Sequence, residues 1–429
     1  MSRRLTVTDG YAIINAMTAE MMGQNASITA VDASTFVSVG ETLLAAGVED
    51  VINTLSLVCS RNLFAIRPYE AKFRLINALD SGVFSNRVRK ISYFSKYAKP
   101  TGASNTDLFG ENLMMDADNG VHYDSSTPPV QQSVESMWLQ SQPVVWEANF
   151  AGATEWQYPY TLYENALKMA FRSPEEWTQF LNGFLVLCAN DIEMEKEAFS
   201  RMLMLNGIAG TLDMAANMNG STVNMTTVFN NTYGTNYNTA TILESHMSEL
   251  LAVFISTLKD TSDFMSCRSV NYHWNPTKTV NGITYDLPRQ TAKADQRLMV
   301  VAPFWNRAEA LVLPAVFNDQ YLKLENFESI AYWQNINAPY SINFTPAIPD
   351  TSDPTQQISG SAQNVEVVLA CLYDRDAIMV DFQLDDVSVT PKEARKHYRT
   401  VWNTIRKNAI WDPTENFVVF MMDDSGVTP

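Results

Sequence analysis

The residue types that do chemistry are present in this chain, but their spacing does not assemble a site. The four histidines, His122, His246, His273 and His397, are scattered, and none completes HExxH or another paired metal spacing. A histidine alone in this way reads as a structural or surface residue. Asp116-Ala117-Asp118-Asn119-Gly120 resembles the start of a calcium loop, but the sixth position, where glycine belongs, is Val121. A solvated acidic loop is the better reading. No GxSxG elbow, phosphate-cradling GxxxxGK[ST] or strand-borne GxGxxG occurs. Gly207-Ile208-Ala209-Gly210 follows a helical pattern instead of preceding one. Asp385-Asp386 and Asp423-Asp424 are sequence neighbours, and neighbours on a strand face opposite ways, so neither pair shares a proton as a dyad. The expectation is no catalytic residue, no cofactor and no metal; a hydrolase with an unrecognised site is the remaining enzymatic alternative.

Segregated charge is what the sequence offers in place of a catalytic set. Across 84–100 the charged residues are Arg87, Arg89, Lys90, Lys96 and Lys99, all basic. Across 107–124 they are Asp107, Glu111, Asp116, Asp118 and Asp124, all acidic. Arg87 to Tyr97 alternates polar with apolar or aromatic residues, as does Gln142 to Phe150, and alternation is the period of a strand with two different faces. The pair predicts a long two-stranded excursion with a polar tip. Such a ribbon cannot bury itself alone, so it is a loose insertion or an arm that packs on something else; we read it as an arm. Arg87, Arg89, Lys90, Lys96, Lys99, Asp107, Glu111, Asp116 and Asp118 are the candidate contact residues. The bland alternative is a solvated strand whose charges keep an exposed edge from aggregating.

The element that must carry this ribbon is a helix predicted from Ser173 to Asn206. Ser173 caps, Pro174 suits the first helical position and Glu176 completes a capping box. Trp177, Phe180, Leu181, Phe184, Leu185, Cys188, Ile192, Phe199 and Met202 then recur at helical spacing, and Asn206-Gly207 offers a stop. At 1.5 Å per residue this beam is roughly 50 Å long, with Phe184 and Leu185 expected against the C-terminal elements near Trp402 and Val419.

Around it, Ile13, Ile14, Met17 and Met21 mark one weak helix and Leu43, Leu44, Val48, Val51, Ile52 and Leu55 another, with Gln24 to Ser38 between them loose. Thr222 to Phe229 reads as a strand, and Thr241 to Leu258 as a helix with Leu243, Met247, Leu250, Leu251, Phe254 and Leu258 on one face. Asn281-Gly282 predicts a two-residue hairpin turn within 277–285. Leu298 to Phe304 and Val365 to Tyr373 suit central strands, and Pro339 to Gly360 a surface loop. Thr390-Pro391-Lys392-Glu393 repeats the capping box and predicts a helix burying Ala394, Tyr398, Val401, Trp402 and Ile405, before a last strand from Phe417 to Met422.

The chain has a formal net charge of −17. Nucleic-acid affinity comes from cations that release phosphate counterions, so this chain is a poor general binder of DNA or RNA, although it can enclose a polymer it repels. Cys59, Cys188, Cys267 and Cys371 form no CxxC and are expected as buried free thiols in a reducing compartment. Asp9 interrupts any leader-like apolar run, and no stretch approaches the roughly 18 apolar residues of a membrane span.

The order of these pieces, together with Asn165 to Phe171, Tyr398 to Met422, Phe36 to Leu44 and Leu63 to Arg67, resembles the major capsid proteins of tailed bacteriophages, the Hong Kong ninety-seven type fold, and among them the head proteins of small Bacillus podoviruses. The resemblance implies an α+β fold with an N-terminal arm (1–66), an E-loop region (67–160), a P-domain with the spine helix (161–235), an A-domain (236–374) and a return to the P-domain (375–429). It implies a shell subunit that forms hexamers and pentamers of itself in an icosahedral or prolate head, encloses double-stranded DNA without specific binding, and is assembled in the host bacterial cytoplasm. A separate scaffolding protein, a portal and decoration proteins are its implied partners. The alternative with the same fold is an encapsulin-like compartment holding a protein cargo.

Overall fold

The computed structural model describes residues 7–22, 29–46, 73, 75–79, 87–94, 144–152, 154–280, 283–311, 326–350 and 356–425. Two compact units emerge, one comprising Arg89–Ala148 with Asn275–Pro288, the other the remainder of the chain.

The larger unit is built on one helix. Ser173 accepts the Glu176 N–H at 3.2 Å through its hydroxyl, Pro174 takes the first position, and the helix runs from Pro174 to Asp213, 40 residues or about 60 Å. It outruns the expected stop because Asn206-Gly207 does something other than cap. Asn206 accepts the Ala347 N–H at 2.7 Å and donates to the Ala347 carbonyl at 3.2 Å, as a strand would. A Cβ on Gly207 would meet Ile378 Cδ1 at 2.8 Å, so glycine is there to admit the sheet. Trp177 and Phe199 are buried as the periodicity predicts, but Met202 is exposed. The side chains of Leu181, Phe184, Leu185 and Cys188 lie outside the described residues.

The N-terminal segments pack on this spine in cis. Helices α1 (Val7–Met22) and α2 (Ala33–Ala46) bury Ile13, Ile14, Met17, Phe36, Val39 and Leu43 against Leu162, Leu167, Phe171 and Trp177. Phe171 stacks on Trp177 with centroids 4.5 Å apart. Residues 33–38, expected to be loose, are helical because the Asp32 carboxylate caps the turn, accepting the Thr35 N–H at 2.8 Å. Val48, Val51, Ile52 and Leu55, like Leu63 to Arg67, lie outside the described residues.

Among the described residues, two larger sheets hang on the spine. The four-stranded sheet has the order β1 (Asn77–Leu79), β15 (Ile378–Val389), β16 (Tyr398–Trp411), β4 (Thr154–Tyr163), the last leading through α3 (Glu164–Ala170) into the spine, α4. The five-stranded sheet has the order β5 (Thr222–Asn224), β17 (Phe417–Met422), β14 (Val367–Asp374), β8 (Gln296–Val301), β9 (Phe327–Ile330). Its core is filled by α5 (Met225–Tyr233), α7 (Met247–Ser266) and α8 (Ala302–Leu311), with Phe254 edge-on to Phe304 and Phe420. As expected, β8 and β14 are interior strands, although β8 gives way to α8 at Ala302 and Val365 belongs to β13 (Gln363–Val365); β17, expected only as a last strand, is interior too.

Further expectations are corrected. The helix predicted after Thr390 is the strand β16. The strand lies between β15 and β4, its alternating residues Arg399, Val401, Asn403 and Ile405 are buried, and a run of β-branched and aromatic side chains suits that place. The capping-box sequence makes a single turn, closed by His397 N–H to the Glu393 carbonyl at 2.9 Å, and His397 at φ 50° turns the chain back into the strand. The strand predicted for Thr222 to Phe229 stops at Asn224, whose side chain caps α5 by accepting the Thr226 N–H. The helix predicted from Thr241 is two, α6 (Thr239–Ser245) and α7, broken at His246. Residues 339–360 are not a plain loop. They carry β10 (Ile342–Phe344) and β11 (Ala347–Pro349), which pair with β13 (Gln363–Val365) and with β12 (Gln357–Ser359), and they bury Ile342 and Ile348. Among the thiols, Cys371 is buried and its titration is pushed well up by burial, but Cys267 is exposed.

Candidate assembly surface

In the smaller unit the predicted ribbon is present. β2 (Arg87–Tyr93) pairs with β3 (Val145–Ala151), and the Phe94 N–H donates to the Val144 carbonyl at 3.0 Å. The predicted hairpin is here too, as β6 (Lys278–Val280) and β7 (Ile283–Tyr285), with Val280 opposite Ile283; Asn281 and Gly282 themselves lie outside the described residues.

Alternation divides the ribbon into two different faces. On one, Ser92 and Phe94 are buried, and Phe94 meets Trp146 edge-on at 6.3 Å. On the other, Arg89, Ile91 and Tyr93 of β2 and Val145 and Glu147 of β3 are all exposed. Ile91 is 47% exposed, Tyr93 63% and Val145 37%, which makes this an apolar patch on a two-stranded ribbon that has no third strand among the described residues. Arg89 donates to the Glu147 carboxylate at 2.7 Å, a half-exposed ion pair within the ribbon itself. Such pairs contribute about 0–1 kcal/mol.

The nine candidate residues are therefore not equivalent. Arg89 lies on the exposed face and already has an acidic partner, while Lys90 lies half-buried on the other face. Arg87 begins β2, and its side chain lies outside the described residues, as do Lys96, Lys99, Asp107, Glu111, Asp116 and Asp118 altogether. Asp116 to Gly120, the loop weighed against calcium, lies outside them too. Reading for charge missed Ile91, Tyr93 and Val145. The alternation that predicted the strands sets Ile91 with Tyr93 on one face of β2, but placing Val145 beside them needs the pairing of β2 with β3.

On the larger unit, the spine presents Met194 and Met202, 61% and 47% exposed, along one stripe with exposed Ala198 between them. β4, at the edge of the four-stranded sheet, exposes Tyr163 and carries Pro159, a residue suited to an edge because it lacks an N–H to offer. Among the described residues no group of three or more His, Cys, Asp and Glu is arranged to hold a metal ion. His273 is fully buried, with Nδ1 2.8 Å from the Asn271 carbonyl and 3.2 Å from Asn416 Oδ1, a structural setting. No helix among the described residues is long and apolar enough to cross a membrane.

A beam carrying two sheets, with an apolar-faced ribbon as a separate unit, is the build of a structural subunit that associates with other proteins. The sequence matches the Phi29-like phage major capsid protein family over residues 107–421, and the chain belongs to that family. It is a capsid shell subunit that self-assembles, and its place is the capsid of the virion. The chain is also similar to a solved capsid chain of Staphylococcus phage Andhra, at 11% identity over 84% of this chain and 86% of that one, with a TM-score of 0.46. A mature-capsid chain of bacteriophage PhiM1 gives 8% identity, 82% and 87% coverage and a TM-score of 0.42. A capsid chain of cyanophage P-SCSP1u gives 8%, 82%, 88% and 0.42. The family match, and not these distant likenesses, carries the assignment. No curated protein matches the chain in sequence.

Proposed function

We propose that this subunit closes, as hexamers and pentamers, into an icosahedral or prolate phage head around double-stranded DNA, in the cytoplasm of the bacterial host, and that it has no enzymatic activity. Arm (1–66), E-loop (67–160), P-domain (161–235), A-domain (236–374) and return (375–429) are the division that fits this role. A separate scaffolding protein, a portal and decoration proteins complete it. The observation that carries the reading is the ribbon's exposed face. Ile91, Tyr93 and Val145 are apolar, and a two-stranded ribbon lacks the core to be stable alone, so a neighbouring subunit is the natural cover. The net charge of −17 suits an inner wall that does not grip its contents. The family match favours a genome shell over an encapsulin-like compartment.

The test is the double variant Ile91→Glu, Tyr93→Glu. Both side chains are exposed in the subunit, so its melting temperature stays within about 2 °C of wild type. Shell yield in sedimentation falls at least about tenfold, because charge is forced into an apolar contact. Shells formed at wild-type yield would remove the ribbon face from the assembly surface.

A further inference from the structure

We propose that Arg201 and Glu328 form a clip that fixes how the two sheets hang on the spine helix, and so sets the curvature at which subunits join. The clip acts on Phe73 and Leu75–Leu79, which touch both sheets at their edges. β1 extends the four-stranded sheet, with Asn77 opposite Met379 and Leu79 opposite Asp381. Just before it, Glu328 on β9, the edge of the five-stranded sheet, accepts two backbone N–H groups: Phe73 at 2.6 Å through Oε1 and Leu75 at 3.2 Å through Oε2. Between these points the Ile76 N–H donates to the Phe73 carbonyl at 3.4 Å.

Arg201, from the spine, supplies the second jaw. Its guanidinium lies 5.1 Å from the Phe73 ring centroid and 4.1 Å from that of Tyr332. Nη1 donates to the Tyr332 carbonyl at 2.7 Å and the Trp333 carbonyl at 3.4 Å, and Nη2 to the Glu197 carboxylate at 2.7 Å. One spine residue thus holds the chain entering β1 and the loop leaving β9.

Two observations separate this from ordinary packing. Phe73 has a φ of 63°, in the left-handed region that a bulky residue leaves unless its surroundings over-determine it. Both jaws also depend on shape as well as charge. Accepting two N–H groups at once needs both carboxylate oxygens, and bonding to carbonyls while lying over two rings needs a planar guanidinium. In a closed shell the range of angles at which neighbouring chains meet, in pentamers and hexamers alike, depends on the subunit's own geometry. With both sheets carried on one helix, a rotation of one against the other at this clip alters that angle.

The inference rests on the chain being a shell subunit, and the first half of its test does not. Glu328→Gln retains one acceptor oxygen and turns an NH2 toward the other backbone N–H; Arg201→Lys keeps the charge and loses the plane. In free subunits of each variant, amide hydrogen exchange at Phe73 and Leu75 rises about tenfold or more, while that of Leu203–Leu205 and of β14 stays at the wild-type level. In assembly reactions, electron microscopy of the same subunits gives a shifted or broadened diameter distribution, with open or tubular products. Unchanged exchange at Phe73 and Leu75 in both variants overturns the clip. Raised local exchange with shells of wild-type diameter overturns its control of curvature, as does faster exchange throughout the spine and sheets. Wild-type subunits that form no assemblies in the same assay overturn the shell reading instead.

Discussion

Gly210 and Gly183 lie in the same helix, and the same substitution has opposite effects at the two. A Cβ built on Gly210 overlaps the indole ring of Trp411, with further ring carbons at 2.6 and 2.9 Å. Trp411 ends β16 and is itself buried, so the ring has little room to yield. Overpacking of this kind costs about 1–3 kcal/mol, and a rigid ring puts Gly210→Ala near the upper figure. Replacing an interior helical glycine returns about 1 kcal/mol of helix propensity, which leaves a net loss of about 2 kcal/mol. A Cβ on Gly183 meets nothing within 4 Å among the described residues, so Gly183→Ala keeps the propensity gain of about 0.5–1 kcal/mol. For a chain of this size each kcal/mol moves the melting temperature on the order of 1–2 °C. Differential scanning calorimetry of free subunits should therefore separate the variants by about 3–5 °C, with Gly183→Ala above wild type and Gly210→Ala below it. A Gly210→Ala subunit as stable as Gly183→Ala refutes the close approach of spine and sheet.

Reversing Arg87, Arg89 and Lys90 together to Glu sets a new carboxylate beside Glu147 on an exposed surface, which costs under about 1 kcal/mol. The melting temperature should barely change while shell formation slows, and high salt should weaken wild-type assembly in light scattering; normal rates would leave the ribbon's charge a solvated edge. Lys407 is 1% exposed, and its amine lies 3.4 Å from Tyr158 Oη and over the Trp156 and Phe199 rings. Burial lowers its pKa, with Glu195 opposing the shift. A lysine held below its unfolded value destabilises the fold while protonated, and the penalty is lifted as pH rises through the folded value toward 10.5. Lys407→Met should raise the melting temperature at pH 7 and flatten its alkaline rise in calorimetry; a lower melting temperature would mean that the amine contributes net stability. Asp32 is held down to about 2 by the Thr35 N–H, so its cap on α2 is complete above the ordinary carboxylate value of 3.8 and is lost as pH falls toward 2. Exchange at the first α2 amides should accelerate over that window in wild type and not in Asp32→Asn, whose amide oxygen still caps; equal pH dependence in both would assign the loss elsewhere.

Where side chains act on their own backbone, the sequence announced the structure. Ser173-Pro174-Glu176 starts the spine as its types require, and alternation marked both strands of the ribbon. Where tertiary contacts decide, local signals misled. Asn206-Gly207 looks like a helix stop, but its amide pairs with Ala347 and its missing side chain admits Ile378. Thr390 to Glu393 looks like a helix start, but Tyr398 to Trp411 lies between two strands ready to pair with it, and the bonds on both sides outweigh one capping box. The candidate surface was half legible. Charge drew attention to the ribbon, although its exposed apolar face needed the pairing of β2 with β3 to be seen. The clip at Arg201 was invisible for a plainer reason, because Phe73, Arg201 and Glu328 are brought together only by the fold.

Whether purified subunits build shells is the question on which the account turns. Electron microscopy of the overexpressed protein, alone and with the proteins encoded by neighbouring genes, answers it directly. The account predicts closed shells, tubes or capsomers, at least when a scaffolding protein is supplied. A chain that stays strictly monomeric under those conditions and turns over a substrate would contradict it.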